Sequence, residues 1–433
     1  MYAIGIDIGT TSICGVVLDV ESGMVVKSRT EMSNAFIPTN NLWEKVQDTD
    51  KIIALSLEIL ESFSQYPAVV IGLTGQMHGI VYVNAEGEAV SPLYTWQDGR
   101  GKLRYKDTTY ADYLGSFSGY GNVTDFYNKV NNLRPENAVS YCTIMDYLGM
   151  KICGLNKPII HTTNAASLGC FDLESNCFTY DVPAEITDKF EIIGRYKGIP
   201  VSVAIGDNQA SVFSALADEG DVLINVGTGS QVTIVSQEIK KGENIETRPY
   251  FEGKYLVAGS SLCGGRAYGI LKDFYTLFLQ EAGVASADVY SIMNRLIEKR
   301  TEDCLKVDTR FAGTRHDPEL RGHISDISVD NFTPANLTYG FLCGIVDELH
   351  HMYNLMGVDS KELVGSGNGI RKNDSLARIC MEKFGKKIKV PLHEEEAAYG
   401  AALFGLIACG MYNSASQVQK LVQYEKFDGC NSI

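Results

Sequence analysis

Basic residues are in short supply, with 38 Lys and Arg against 53 Asp and Glu and a formal charge of −15. A chain this acidic lacks the field that draws nucleic acid or anionic lipid. Its longest basic cluster, Lys386-Lys387-Ile388-Lys389, reads as a solvated surface turn. Neither a nucleic acid nor a membrane is therefore an expected partner. Long apolar runs are also missing. The nearest, residues 397–412, is broken by Gly400, Gly405 and Gly410 and falls short of the ~18–20 residues a spanning helix needs, so a buried helix is expected. The first residues carry neither a basic leader nor a cleavable apolar stretch, which makes the cytoplasm the expected location. The 11 cysteines form no CxxC pair and match no zinc spacing, so they are expected to be reduced and mostly buried. No GxxxxGK[ST] loop occurs. What is present, 45% apolar and 21% charged residues with 42 glycines, excludes a disordered chain. A length of 433 residues at roughly 150 per domain gives two or three folding units.

The pattern along the chain is α/β. Residues 3–7 read as a buried strand, residues 8–12 as a Gly/Thr turn and residues 13–18 as a second strand. The same grammar returns at residues 221–225, 226–230 and 231–235, which suggests a duplicated architecture. Between the copies, residues 50–64 have helical periodicity and residues 68–73 form a strand ending in Thr74-Gly75-Gln76-Met77-His78. Residues 200–205 form another strand, ending in Gly206-Asp207-Asn208, with a helix from residue 210. Helices are further expected at residues 267–279, 342–356, 375–384 and 394–409. A boundary falls near residues 215–225.

Each Gly/Thr turn gathers backbone N–H groups and hydroxyls at one point, which suits polyphosphate oxygens; an ordinary hairpin is the plain alternative. Asp7, at the strand end before the first turn, could hold Mg²⁺. Asp207 ends a buried strand before a helix, where α/β proteins bind ligands. It reads either as a helix cap or as the base that takes a proton from an attacking hydroxyl. Gln76, Met77 and His78 with Trp96, Gln97, Asp98 and Arg100 combine a flat ring with directional polar groups, as polyol recognition requires. A surface loop with a half-buried Trp is the alternative there. Gly264-Gly265 and Gly365-Ser366-Gly367-Asn368 would let backbone approach a flat ligand closely. His350 and His351, adjacent on a helix, point apart and read as structural.

In order and spacing, Asp7-Ile-Gly-Thr-Thr11, Gly75-Gln-Met-His-Gly79, Trp96-Gln-Asp-Gly-Arg100, Gly206-Asp-Asn-Gln209, Asn225-Val-Gly-Thr-Gly229 and Gly365-Ser-Gly-Asn368 resemble the FGGY carbohydrate kinases. The resemblance runs from about residue 3 to 405. It implies an α/β fold of two ribonuclease-H-like domains of the actin and sugar kinase superfamily, residues 1–217 and 218–433, flanking a central cleft. It also implies phosphoryl transfer from ATP, with Mg²⁺, to a sugar or polyol hydroxyl. In the family's terms Asp207 is the base, and Asp7 and Asp207 lie at the metal. Gly9, Thr10 and Thr11 form the first phosphate turn and Gly227, Thr228 and Gly229 the second. Gly264, Gly265, Gly367 and Asn368 flank the nucleoside, and Gln76, Met77, His78, Trp96, Asp98, Arg100 and Asn208 line the sugar site. Trp96–Arg100, Gly119-Tyr-Gly121, residues 311–322 and Val364–Asn368 look most like the branch that phosphorylates the ketoheptose sedoheptulose. Gln76-Met77-His78 is shared with the xylulose branch. The chain is shorter than is usual in the family, and it has Gly-Ser-Gly-Asn-Gly where many relatives have three consecutive glycines. A chaperone- or actin-like ATPase on the same fold would need neither Asp207 nor the Trp96 cluster. A homodimer is left open.

Overall fold

The computed structural model describes residues 1–284, 286–314 and 317–426. They group into two compact units. One comprises Met1–Ala217, Arg248–Lys254 and His393–Gln423, the other Asp218–Thr247, Tyr255–Leu392 and Tyr424–Lys426, so neither is one continuous stretch of chain. Arg315 and His316, within the segment 311–322, lie outside the described residues.

The first unit is built on strands β1 (Tyr2–Ile8), β2 (Ser12–Asp19), β3 (Val25–Met32), β4 (Ala68–Gly75), β5 (Ile192–Tyr196), β6 (Ile199–Ser202) and β7 (Ile205–Gly206). Their order is β5-β6-β4-β1-β2-β3, with β7 also paired to β4. Ala3, Ile4, Ile6 and Ile8 of β1 are all buried, the near-continuous apolar run of a strand covered on both faces. Helix α1 (Thr49–Glu61), capped by the Asp48 carboxylate on Lys51 N–H, packs on β1 and β2 through Ile52, Ile59 and Leu60. Each such buried side chain contributes about 1.5–3 kcal/mol, and truncating Ile59 to Ala would cost about 2–5 kcal/mol.

The helix Glu396–Ala408 runs against β1 and β4, and two glycines show how closely. A Cβ on Gly72 of β4 would stand 1.8 Å from the Ala401 carbonyl oxygen, and one on Gly400 would stand 1.9 Å from that of Ala210. Only bare backbone permits these approaches. Gly400 thereby seats α2 (Asp207–Ala215). The strand expected over residues 200–205 is divided into β6 and β7, and α2 begins at Asp207, three residues earlier than the periodicity implies. Gly206 holds the cap position without a side-chain hydrogen bond, while Asp207, one residue on, accepts the Asn208 N–H of the first turn, so part of the helix-capping alternative for Asp207 stands.

The second unit repeats the grammar. Strands β8 (Val222–Val226), β9 (Ser230–Ser236), β10 (Tyr255–Ser261), β11 (Leu363–Ser366) and β12 (Ile388–Pro391) lie in the order β10-β9-β8-β11-β12, followed by Tyr424–Lys426. The antiparallel β8–β9 hairpin stands beside parallel β11 as β1–β2 stands beside β4. Helix α4 (Pro334–Met356) covers this sheet, and α3 (Gly264–Glu281) packs on α4. Helix α4 starts eight residues before its expected position because Thr333 caps it and Pro334 fits its first turn. Among the described residues no cysteine is in a disulfide; Cys14, Cys142, Cys263 and Cys380 are buried, whereas Cys177 is exposed. No helix of the described residues is long and apolar enough to cross a membrane.

Candidate active site

In the first unit three parallel strands end together. Register pairs Asp7 with Thr74 across β1 and β4, and Thr74 and Gly75 with Ile205 and Gly206 across β4 and β7. Asp7 therefore emerges at the same sheet edge as Asp207, the first residue of α2. Burial pushes the Asp7 carboxyl up to about 7, with the negative charges of Asp207 and then Glu395 adding to it. Burial raises Asp207 as well, while the Arg248 guanidinium and hydrogen bonds from Asn208 pull it back. Asn208 N–H donates to Asp207 Oδ1 at 2.6 Å and Asn208 Nδ2 to the same oxygen at 3.0 Å. The side chain is thus fixed, with these contacts opposing the net upward push of burial. Arg248 and Glu395 carried no sequence signal, since neither belongs to a motif and both reach the site from distant stretches of chain.

Mutually repelling carboxylates are the donor chemistry of a divalent cation. Among the described residues no three His, Cys, Asp or Glu gather into an all-protein metal cage. One or two carboxylates completed by water and phosphate oxygens are the usual Mg²⁺ arrangement, and Asp7 with Asp207 fits it.

Beside the carboxylates, the first turn joins the expected sugar wall. Trp96 Nε1 donates to Thr10 Oγ1 at 2.9 Å, and Thr10 Oγ1 donates to Gln76 Oε1 at 3.4 Å. Gln76 Nε2 donates to Gln47 Oε1 at 2.9 Å, and Gln47 Nε2 returns to the Thr10 carbonyl at 2.7 Å. This closed ring commits the Thr10 hydroxyl to the wall and leaves Gly9 and exposed Thr11 as the open part of the turn. Gln47 had no sequence signal. Trp96, 46% exposed, presents a ring face. Buried Met77 has its sulfur 3.7 Å from Asn208 Nδ2, and the His78 ring stacks on Tyr120 at 4.3 Å.

Asp98 and Arg100 depart from the expectation that they line the sugar site. Both are buried, and they satisfy one another. Asp98 Oδ1 accepts from Arg100 N–H at 3.0 Å and Nε at 2.7 Å, while Oδ2 accepts from Arg100 Nη2 at 3.2 Å and Lys45 N–H at 2.9 Å. Arg100 also reaches Asn128 Oδ1 at 2.6 Å and lies 4.3 Å from the Tyr94 ring centroid. Burial works against its charge, yet Asp98 holds the guanidinium above its ordinary value. The pair is a strut beneath the Trp96 loop. His350 lies edge-on against Phe384, a packing role.

In the second unit Gly227, Thr228, Gly265 and Asn368 line one cavity of about 750 Å³ together with Tyr268 and Tyr290, whereas Gly229, Gly264 and Gly367 lie behind its lining residues. Gly227 N–H donates to the Gly229 carbonyl at 2.9 Å to close the β8–β9 turn, and the first turn of α3 docks on it through Gly265 N–H to Gly227 O and Arg266 N–H to Thr228 O, both 2.9 Å. A Cβ on Gly265 would stand 2.4 Å from the Gly227 oxygen, while Gly264 abuts Gly229. Gly367 has a φ of 77° and leaves no room for a Cβ beside Val226. The cavity has the size of a small-molecule site, with exposed Thr228 and Asn368 at its polar rim.

Twin hairpin-and-helix units with paired carboxylates and a cavity walled by a Gly/Thr turn are the build of a phosphotransferase of the actin and sugar kinase fold. The chain belongs to the FGGY family of carbohydrate kinases: residues 2–109 match the family's N-terminal domain and residues 222–409 its C-terminal domain. It is 28% identical to the sedoheptulokinase of Mus musculus, over 92% of this chain and 96% of that protein. In fold it is similar to a ligand-bound xylulose kinase from Lactobacillus acidophilus (TM-score 0.83, 17% identity, 98% of this chain and 93% of that one). It is likewise similar to Plasmodium falciparum glycerol kinase with ADP (TM-score 0.77, 17% identity, 97% and 92%). The protein is a carbohydrate kinase.

Proposed function

We propose that the enzyme transfers the γ-phosphoryl group of ATP to a terminal hydroxyl of a ketose, sedoheptulose first and xylulose second. The observation that carries this reading is the meeting of Asp7 and Asp207 at one sheet edge, in the unit that also bears the Trp96–Thr10–Gln76 wall. Asp207 Oδ1 already accepts two hydrogen bonds from Asn208, so the carboxylate is oriented before a sugar arrives and can take the hydroxyl proton. Asp7 and Asp207 would hold Mg²⁺, which when bound offsets the charge of the phosphate oxygens. Gly9 and Thr11 in the first turn, and Thr228 and Gly229 in the second, which Gly227 closes, offer N–H and hydroxyl donors to phosphate oxygens. Gly264, Gly265, Gly367 and Asn368 frame the nucleoside cavity. Trp96 gives the sugar a face to pack on, and His78, Asn208 and Met77 supply its surroundings. Sedoheptulose takes precedence because the identity to a sedoheptulokinase, 28%, exceeds the 23% to a xylulose kinase.

A coupled ATP-consumption assay over free ketoses and polyols tests the reading. The highest kcat/KM is expected for sedoheptulose, with xylulose next. Preference for glycerol or an aldonic acid would refute the substrate, and nucleotide hydrolysis unaffected by every sugar would refute the transfer.

A further inference from the structure

His78 occupies a conformation that its own chemistry does not favour. Its φ is 74°, a left-handed value costly for a side chain of this size unless the surroundings impose it. Locally, Gly79 N–H donates to the Met77 carbonyl at 2.9 Å and closes a tight turn centred on His78, and a short turn distant in sequence braces it. Ser167, buried in the 3₁₀ turn Ala166–Leu168, accepts from His78 N–H through its Oγ at 3.1 Å, and its carbonyl oxygen lies 2.7 Å from His78 Nδ1. A carbonyl can only accept, so Nδ1 carries a proton, and in the neutral ring Nε2 is then the acceptor atom.

Ser167 is itself fixed from behind. Its hydroxyl donates to the Asn164 carbonyl at 2.7 Å. The Asn164 amide donates to Thr143 Oγ1 and to Asp146 Oδ2, each at 2.8 Å, where Thr143 and Asp146 form the capping box of helix Ile144–Cys153. Ser167 thus meets the imidazole at its edge, and Tyr120 stacks on a face, its ring 13° from parallel. The same turn reaches round to it: a Cβ on Gly169 would come within 3.1 Å of the Tyr120 ring, and the Gly169 carbonyl accepts from Asn122 at 2.6 Å. The Ser167 turn and Tyr120 together hold the imidazole.

We propose that Ser167 is a positioning residue that sets the orientation and tautomer of His78, and through them the affinity for the sugar. The proposal rests on the placement of His78 in the sugar site. It implies that a substrate group meeting Nε2 of the neutral ring is an O–H rather than a carbonyl.

Steady-state kinetics of Ser167→Ala, Ser167→Thr and His78→Ala test this. Ser167→Ala is expected to raise the sugar KM about tenfold while the ATP KM moves less than about twofold, the scale of one lost buried hydrogen bond. Ser167→Thr, which keeps the hydroxyl, recovers most of the loss. A sugar KM unchanged in Ser167→Ala but raised in His78→Ala would overturn the role of Ser167 and leave His78 in the sugar site. Unchanged values in both would overturn that placement as well. Should Ser167→Ala fail to fold, ¹⁵N-histidine NMR of the unaltered protein decides, the Nδ1–H tautomer supporting the proposal and the Nε2–H tautomer overturning it.

Discussion

Replacing Asp98 by Ala separates a strut from a sugar ligand. The Asp98 and Arg100 side chains are 0% and 3% exposed, and the carboxylate accepts three hydrogen bonds from Arg100 and one from Lys45 N–H. Removing one partner of a buried ion pair leaves the other charge stranded and costs about 3–5 kcal/mol. Glu44, 3.6 Å from Arg100, and the Tyr94 ring remain, which places the loss near the lower end, about 3 kcal/mol. For a unit of this size the melting midpoint falls about 2–4 °C per kcal/mol, or about 6–12 °C in all. Replacing both residues, Asp98→Leu with Arg100→Met, should restore much of it, because an apolar pair of similar volume avoids the stranded charge. Differential scanning fluorimetry reads the midpoint, and sugar KM is measured well below it. An Asp98→Ala protein that melts within about 1 °C of the parent, yet needs about tenfold more sugar, would show that Asp98 bonds a hydroxyl directly and that the strut argument is wrong.

Asp207→Asn should bind ATP nearly as tightly as the parent in calorimetry while kcat falls by about 10² or more, the scale of a positioned base; full turnover would remove Asp207 from the mechanism. Asp7, pushed from its ordinary 3.8 up to about 7, binds its proton more tightly folded than unfolded. Its neutral form is therefore stabilising below about pH 4, and that contribution is lost as pH rises through about 7. Asp7→Asn should accordingly melt higher than the parent at pH 8 without nucleotide, with the gap closing towards pH 4, and it should lose activity; a gap independent of pH refutes the assignment. Gly265→Ala, whose new Cβ meets the Gly227 oxygen at 2.4 Å, should raise the ATP KM about tenfold or more through overpacking and leave the sugar KM alone, and equal rises in both would sever that turn from the nucleotide.

The parts legible in the sequence are those whose constraint is local. A β-strand ending in Asp7 before a Gly/Thr turn is specified by neighbours within a few residues, as is its repeat at Asn225–Gly229, and both hairpins form where the pattern places them. Asp98 and Arg100 illustrate the limit. Two charged residues beside a tryptophan read the same whether they face a sugar or one another, and burial decided by Lys45, Asn128 and Tyr94 cannot be seen in a five-residue window. Gln47, Ser167, Arg248 and Glu395 lie further out of reach, each brought to the site by chain folding from a segment with no motif. Yet these residues govern what the motif residues can do. Gln47 closes the ring that holds Thr10 against Trp96, and Arg248 works against the burial that raises Asp207. The motifs therefore name the reaction, whereas the protonation states and orientations that let it proceed come from residues that only the three-dimensional arrangement selects.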